Sequence, residues 1–571
     1  MTSSRFDSAR AARTREFAIT LTRWPSVTGS EGEATFPERL RELLATWPYF
    51  QRHPAQVWVT PARSYASGNV YALVRGRGPQ TVVLSGHFDT VHTDSYGDEQ
   101  AWATDPEALT ERLIASLQRP GLTASEELAL QDLSSGEFLP GRGLLDMKGG
   151  IAAGMTVLER YAALPESERP GNLLLVATPD EEGMSRGARS AVSDLPEIAA
   201  RFQLEVRLGI NLDATSDVGD GSEGRAVYLG TVGKLLLSAL IVGRPTHAAY
   251  PFDGSSAALM AAELVRAVEG NPELADTAYR QNAAPPVCLE LRDSRTQYDV
   301  TTPAQLWCAF NVLTQRSTPP QVFSRFLELA QTAAHTALTL QAQQAAAWGS
   351  VAAPALAELR ARVLSFAELR AQAAAHAGEV AVQAVIAATP ADPDPLQASR
   401  SITQALVGLA RLEGPAIIVG LGAVHYPHTH VADSGADAQL AERLSRQVER
   451  FSQLSGQSVR VRHSFAGISD MSFLGHVPGA ADAELVFQQT PHPVHVHTTP
   501  QGALHFPTIN VGPWGRDYHQ KLERLHQGYG FGVLPELVWE LAVSELESRE
   551  EAPFGERADF AVPSDTSLGE R

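Results

Sequence analysis

Cysteine is nearly missing from this chain: Cys288 and Cys308 are the only two in 571 residues. A disulfide framework is therefore excluded, and so is a zinc site built on thiolates. Long apolar runs are missing too. Nothing reaches the roughly 18 uninterrupted apolar residues of a membrane helix, so no membrane partner is expected. The first residues, MTSSRFDSARAARTREF, hold arginines and no apolar block of secretory type. The expected location is the cytoplasm. Positive charge is short: 46 Lys and Arg face 65 Asp and Glu, a balance of −19. A surface of that sign repels phosphate backbones and argues against nucleic-acid binding. Any metal must be held by carboxylates and imidazoles, and the chain offers 17 His.

What is present reads as globular. Apolar residues make up 44%, enough for a large core, and the length suits two or three domains at roughly 100–200 residues each. Three apolar runs predict buried strands: Thr81–Ser85, Leu173–Thr178 and Leu208–Leu212. A helical pattern, Gly150–Ala163, lies between the first two. Short buried strands alternating with helices predict an α/β fold with a largely parallel sheet. Beyond about Gly230 the texture changes. Lys234–Val242 predicts a strand, Ser255–Glu269 a helix, then strands near Val287–Leu291 and Gln305–Leu313. Pro320–Gly378 reads as helical almost throughout. The PADPDP segment, Pro390–Pro395, marks a linker. Then follow a helix at Leu396–Leu412, a buried strand at Ala416–Gly420, a helix at Asp437–Leu454 and a last helix at Gly530–Leu546. Glu547–Arg571 is polar and expected to fray. The organisation expected is a catalytic α/β unit in two parts, 1–230 and 391–571, interrupted by an α+β insertion at 231–390.

Four polar segments follow predicted strands or turns. In GHFDTV, His87 and Asp89 are two apart and point the same way on a strand end. His87 can bind a metal while Asp89 accepts its other ring N–H; a buried structural histidine beside an acid reads the same. In GRGLLDMKGG, Asp146 sits in a glycine-flanked turn, either beside a bound ion or as a helix cap. In TPDEEGMSRG, three acids follow a buried strand. Burying them requires neutralisation, which a divalent ion supplies; a solvated acidic loop is the plainer reading. Glu181 and Glu182 diverge in direction and can divide metal binding from proton transfer. Asp213 of NLDAT follows another strand. Ligands collect at the carboxyl ends of the strands of such sheets, so all four segments share one rim.

This ordered set resembles the co-catalytic di-zinc hydrolases of the aminoacylase, acetylornithine deacetylase, succinyl-diaminopimelate desuccinylase and glutamate carboxypeptidase family. The resemblance implies a zinc-peptidase-like catalytic domain interrupted by a lid of dimerisation type, and two divalent metal ions, zinc by preference. It makes His87 and Asp213 ligands of one metal, Glu182 a ligand of the second, and Asp146 the bridge, with a cis peptide at Asp146–Met147. Glu181 becomes the general base and Asp89 the partner of His87. A late histidine is still needed. His519, after the glycine loop of GPWGRDYHQKLERLH, fits the family's closing motif, with His526 as fallback. The runs HYPHTH (His425, His428, His430) and HPVHVH (His492, His495, His497) read as surface sequence without chemistry or as an adventitious metal site. His247, in GRPTHAAYPFDG, matches a histidine that reaches the site from the lid, often from a partner subunit; a surface histidine is the alternative. Asp470, in GISDMSFLG, either orients substrate or caps a helix.

The match is looser elsewhere. The lid lacks the family's Asp-x-Arg element, leaving Asn311 and a displaced Arg316 as candidates for substrate binding. Additional segments lie at 94–140 and 346–390. These departures resemble the arginine-utilisation branch. The expected activity is hydrolysis of an amide or peptide bond in a small N-acyl amino acid, dipeptide or arginine-related substrate, with a homodimer formed through the lid. The alternative is a non-catalytic metal-containing binding or regulatory protein on the same fold.

Overall fold

Apolar, β-branched runs build the centre of the first sheet. The structure, a computed structural model, describes residues 7–548 apart from 218, 220, 222, 280, 296, 393 and 432–437. Eight strands lie in the order Val57–Pro61, Gly68–Val74, Asn172–Thr178, Gln80–His87, Glu205–Asn211, Thr508–Asn510, Ala226–Tyr228, Arg460–Arg462. From Asn172–Thr178 to Thr508–Asn510 the pairing is parallel. Every residue of Asn172–Thr178 is buried, as a parallel strand covered on both faces must be. Helices Ser8–Thr22, Gly149–Ala163 and Leu534–Glu547 cover one face, and Arg186–Phe202 covers the other. The register sets His87 opposite Thr178 and Ser85 opposite Asn211, so the three following segments emerge side by side at one rim. The helix after Asp146 packs close to that rim: a Cβ on Gly150 would stand 2.1 Å from the Leu212 carbonyl oxygen.

A second sheet of five strands runs Val287–Asp293, Gln305–Thr314, Gly233–Val242, Ala416–Leu421, Arg362–Ser365. Helices Ala257–Val268 and Pro319–Trp348 pack on one face; Phe366–Ala377 and Pro395–Leu409 pack on the other. One expectation is corrected here. The strand at 416–421, expected in the second part of the catalytic unit, pairs with Gly233–Val242 and belongs to this sheet. The insertion therefore runs past residue 390. The stretch 320–378 is helical over most of its length, as expected, and Arg362–Ser365 interrupts it as a strand parallel to 416–421. The 390–395 segment lies inside the insertion. It is fastened by His492, which donates to the Thr389 carbonyl, and His495, which donates to that of Ala391. The last helix ends at Glu547, and residues 549–571 lie outside the described residues, as does Asp437. Among the described residues, no helix is long and apolar enough to cross a membrane.

Candidate metal centre

Asp146 is the centre of the cluster. His87 Nε2 lies 3.1 Å from Asp146 Oδ1, and His519 Nε2 lies 3.1 Å from Asp146 Oδ2. The two carboxylate oxygens thus face different histidines. His87 is also 3.9 Å from Asp213 Oδ1 and 3.9 Å from Glu181 Oε2, while His519 is 2.9 Å from Glu182 Oε1. Three groups have their ligand atoms within 4.8 Å of one another: His87–Glu181–Glu182, and two tripods, His87–Asp146–Asp213 and Asp146–Glu182–His519. The two tripods share Asp146, whose peptide bond to Met147 is cis. The set is all oxygen and imidazole nitrogen, a donor mix suited to zinc and neighbouring divalent metals.

Asp89 organises the loop beside them. Its carboxylate accepts the backbone N–H of Glu181 at 3.0 Å, that of Glu182 at 3.2 Å, and the Thr28 hydroxyl at 2.9 Å. His87 Nδ1 finds its closer acceptor in the Asp89 carbonyl, at 3.1 Å, with the carboxylate at 3.5 Å. Asp180, the first acid of the DEE run, turns away and pairs with Arg186. Glu33, which the sequence did not single out, accepts the Asp180 N–H and the Tyr65 hydroxyl from below.

Packing so many acids together is costly without a cation. Burial and the charge of Asp146 push Asp213 up to about 8. Burial, then the charges of Asp213 and Glu182, push Glu181 well above the carboxylate range, against the opposing pull of His87. Burial also raises Glu182. Burial would raise Asp146 too, but the hydrogen bonds from His519 and His87 outweigh it and hold it low. Burial lowers His519, yet its bonds to Asp146 and Glu182 carry it up to about 10. A carboxylate cluster held together by protons is what divalent ions displace.

The remaining candidates divide. His526 accepts the Tyr529 N–H and packs on Phe138 and Trp514, so it is not in the cluster. Asp470 is buried and accepts the Thr178 hydroxyl at 2.8 Å; the cap of its short helix is Ser469. Its charge, with those of Asp213 and Glu182, contributes to raising Glu181. His247 is exposed, and its ring accepts the Ala249 N–H. Asn311 pairs across the second sheet with Leu236, and Arg316 lies over the Tyr279 ring. None of these three lines the cavity above the acids. That cavity, 240 Å³, is bounded by Asp146, Glu181, Glu182, Asp213 and His519 below and by Lys234, Tyr426, Phe465, Ile468 and Tyr518 above. The histidine-rich runs are not surface sequence: His492 and His495 are buried, and burial drives His425 and His497 down to about 3. Tyr426, inside the first run, lines the cavity. A tyrosine flanked by histidines and proline carries no periodic signal, so nothing in the sequence marked it.

A sequence profile described as "Peptidase family M20/M25/M40" matches residues 83–501. The chain is 31% identical over 529 residues to the protein YqjN of Bacillus subtilis (strain 168), covering 91% of this chain and 93% of that one. It is 26% identical over 555 residues to Protein RocB of the same organism, covering 94% and 96%. Its fold is similar to that of a tripeptidase from Staphylococcus aureus, with a TM-score of 0.50 and 15% identity over 94% of this chain and 99% of that one.

Proposed function

Because the chain belongs to peptidase family M20/M25/M40, we propose that it is a two-metal amide hydrolase acting on a small N-acyl amino acid, a dipeptide or an arginine-related substrate. The observation that carries this reading is Asp146, whose two oxygens each face a different histidine at 3.1 Å. His87 and Asp213 would hold one divalent ion, Glu182 and His519 the other, with Asp146 between them and zinc the preferred metal. Bound there, such a pair supplies Lewis acidity, making water nucleophilic and the carbonyl electrophilic. Glu181 accepts the proton of the attacking water and delivers it to the leaving nitrogen as the C–N bond breaks. Asp89 holds Glu181 in place through the loop backbone. His247, exposed in its own subunit, would reach the site of a second copy paired through the lid and donate to the carbonyl oxygen.

Glu181→Gln is the direct test. With zinc loaded, its turnover of N-acyl amino acids should fall by roughly 10²–10⁴-fold, the usual worth of a general base. Its metal content by elemental analysis should match the parent. Unchanged turnover would remove Glu181 from the reaction.

A further inference from the structure

Lysine is the scarce cation of this chain. Of 46 basic residues only Lys148, Lys234 and Lys521 are lysines. Two have anchors: Lys148 donates to the Trp24 carbonyl at 2.8 Å, and Lys521 pairs with Glu99 at 2.7 Å. Lys234 lines the cavity over the acids, and its ammonium lies 4.4 Å from the centre of the Tyr426 ring. Among the described residues the ammonium itself has no hydrogen-bond or ion-pair partner. An ammonium carries three N–H donors, and on the wall of a half-open cavity they are available to a ligand.

The backbone fixes where this charge stands. Lys234 opens the strand Gly233–Val242, which pairs with Gln305–Thr314 along its length. On the other side Lys234 N–H donates to the Tyr426 carbonyl at 2.8 Å, and Tyr426 N–H returns a bond to Lys234 at 3.0 Å. The preceding residue must be glycine: a Cβ on Gly233 would lie 2.5 Å from the His428 nitrogen. The backbone that carries this charge is therefore held at the cavity wall by the neighbouring chain on both sides. Arg316 and Asn311, the residues expected to bind a substrate anion, do not line this cavity.

We propose that Lys234 is the anion-binding group of the active site, receiving a carboxylate on the substrate while Tyr426, Phe465 and Ile468 enclose the adjoining apolar part. This deepens the hydrolase reading and rests on it for the position of the scissile bond. A lysine suits a single carboxylate oxygen in a small cavity, where the planar fork of arginine needs more room.

Binding tests this without turnover. Zinc-loaded Glu181→Gln protein is titrated calorimetrically with N-acetyl-leucine, N-acetyl-phenylalanine and N-acetyl-arginine, each as free acid and as methyl amide. The free acids should bind at least about tenfold tighter, the worth of one charge-assisted hydrogen bond. Adding Lys234→Met, and separately Lys234→Gln, should bring acid and amide within about twofold while amide affinity stays the same. An acid preference that survives both substitutions, or that is missing from the parent, overturns the proposal. Loss of preference in both, with no cleavage of any of these compounds by the wild-type enzyme, leaves the anion site standing and removes the hydrolase reading.

Discussion

Asp146 shows how one side chain sets the protonation of a whole cluster. Each of its oxygens engages a histidine, and those histidines hold protons that a metal must replace. The sign of the pH dependence follows. Asp213 rises from an ordinary 3.8 to about 8, and His519 from 6.5 to about 10. A group with a raised folded pKa stabilises the fold below its unfolded value, and that contribution is lost as pH climbs through the folded value. Metal-free protein should therefore lose stability between pH 4 and 8 through Asp213, and between 6.5 and 10 through His519. Zinc-loaded protein, with its ligands already deprotonated, should not. The check is Tm at pH 6, 8 and 10 after chelation and after zinc addition. A flat profile in the chelated protein contradicts the assignment. Calorimetry in two buffers of different ionisation enthalpy should also detect protons released on zinc binding.

At the scale of elements, the 94–140 segment braces the loop that carries His519. Asp517 and His519 adopt φ of 56° and 64°, conformations that cost about 1–3 kcal/mol each in residues other than glycine. The surroundings hold them there. Asp132, from helix Ala124–Ser135, pairs with Arg516 at 2.5 Å and accepts Arg524 Nε at 2.8 Å. Glu99 holds Lys521, and Leu522 packs among Tyr96, Leu109, Leu113 and Leu133. Arg142, bonded to Ser95, reaches Glu523 at 2.5 Å and so ties the Asp146 turn to the His519 loop. Asp132→Asn keeps the shape and removes the charge. Loss of such outer support typically costs 10–100-fold in metal affinity. Chelator competition should show one of the two ions leaving at least about tenfold more readily, with the circular dichroism spectrum unchanged. Equal retention of both ions would mean that the segment does not brace the site.

Over the whole molecule, the central sheet and most of the cluster were legible because buried parallel strands are written as unbroken apolar runs. Acids placed directly after such runs stand at the sheet rim where ligands collect, which weakens the reading as a solvated loop. The extent of the insertion was not legible, since Ala416–Leu421 has the same apolar pattern whichever sheet it joins. Only long-range pairing with Gly233–Val242 decides it. Lys234 escaped notice for a similar reason: at the head of an apolar strand it reads as a solvated end. The lid also leaves one edge open. Val287–Asp293 is the last strand of its sheet, and Val287, Leu289 and Leu291 are 43%, 55% and 55% exposed. An exposed apolar edge is a template for a second chain, and His247 bridges to Thr301 in the same unit. The expected particle is a homodimer of about twice 61.3 kDa by light scattering. Leu289→Lys with Leu291→Lys should give monomers that bind zinc normally but turn over poorly. Complementation then decides whose site His247 serves. His247→Asn and Glu181→Gln proteins should each be nearly inactive. Dissociated and reassembled together, they should regain turnover, because a mixed dimer has one site with an intact Glu181 from one chain and an intact His247 from the other. If mixing restores nothing while each protein still forms dimers and holds zinc, His247 has no role across the interface.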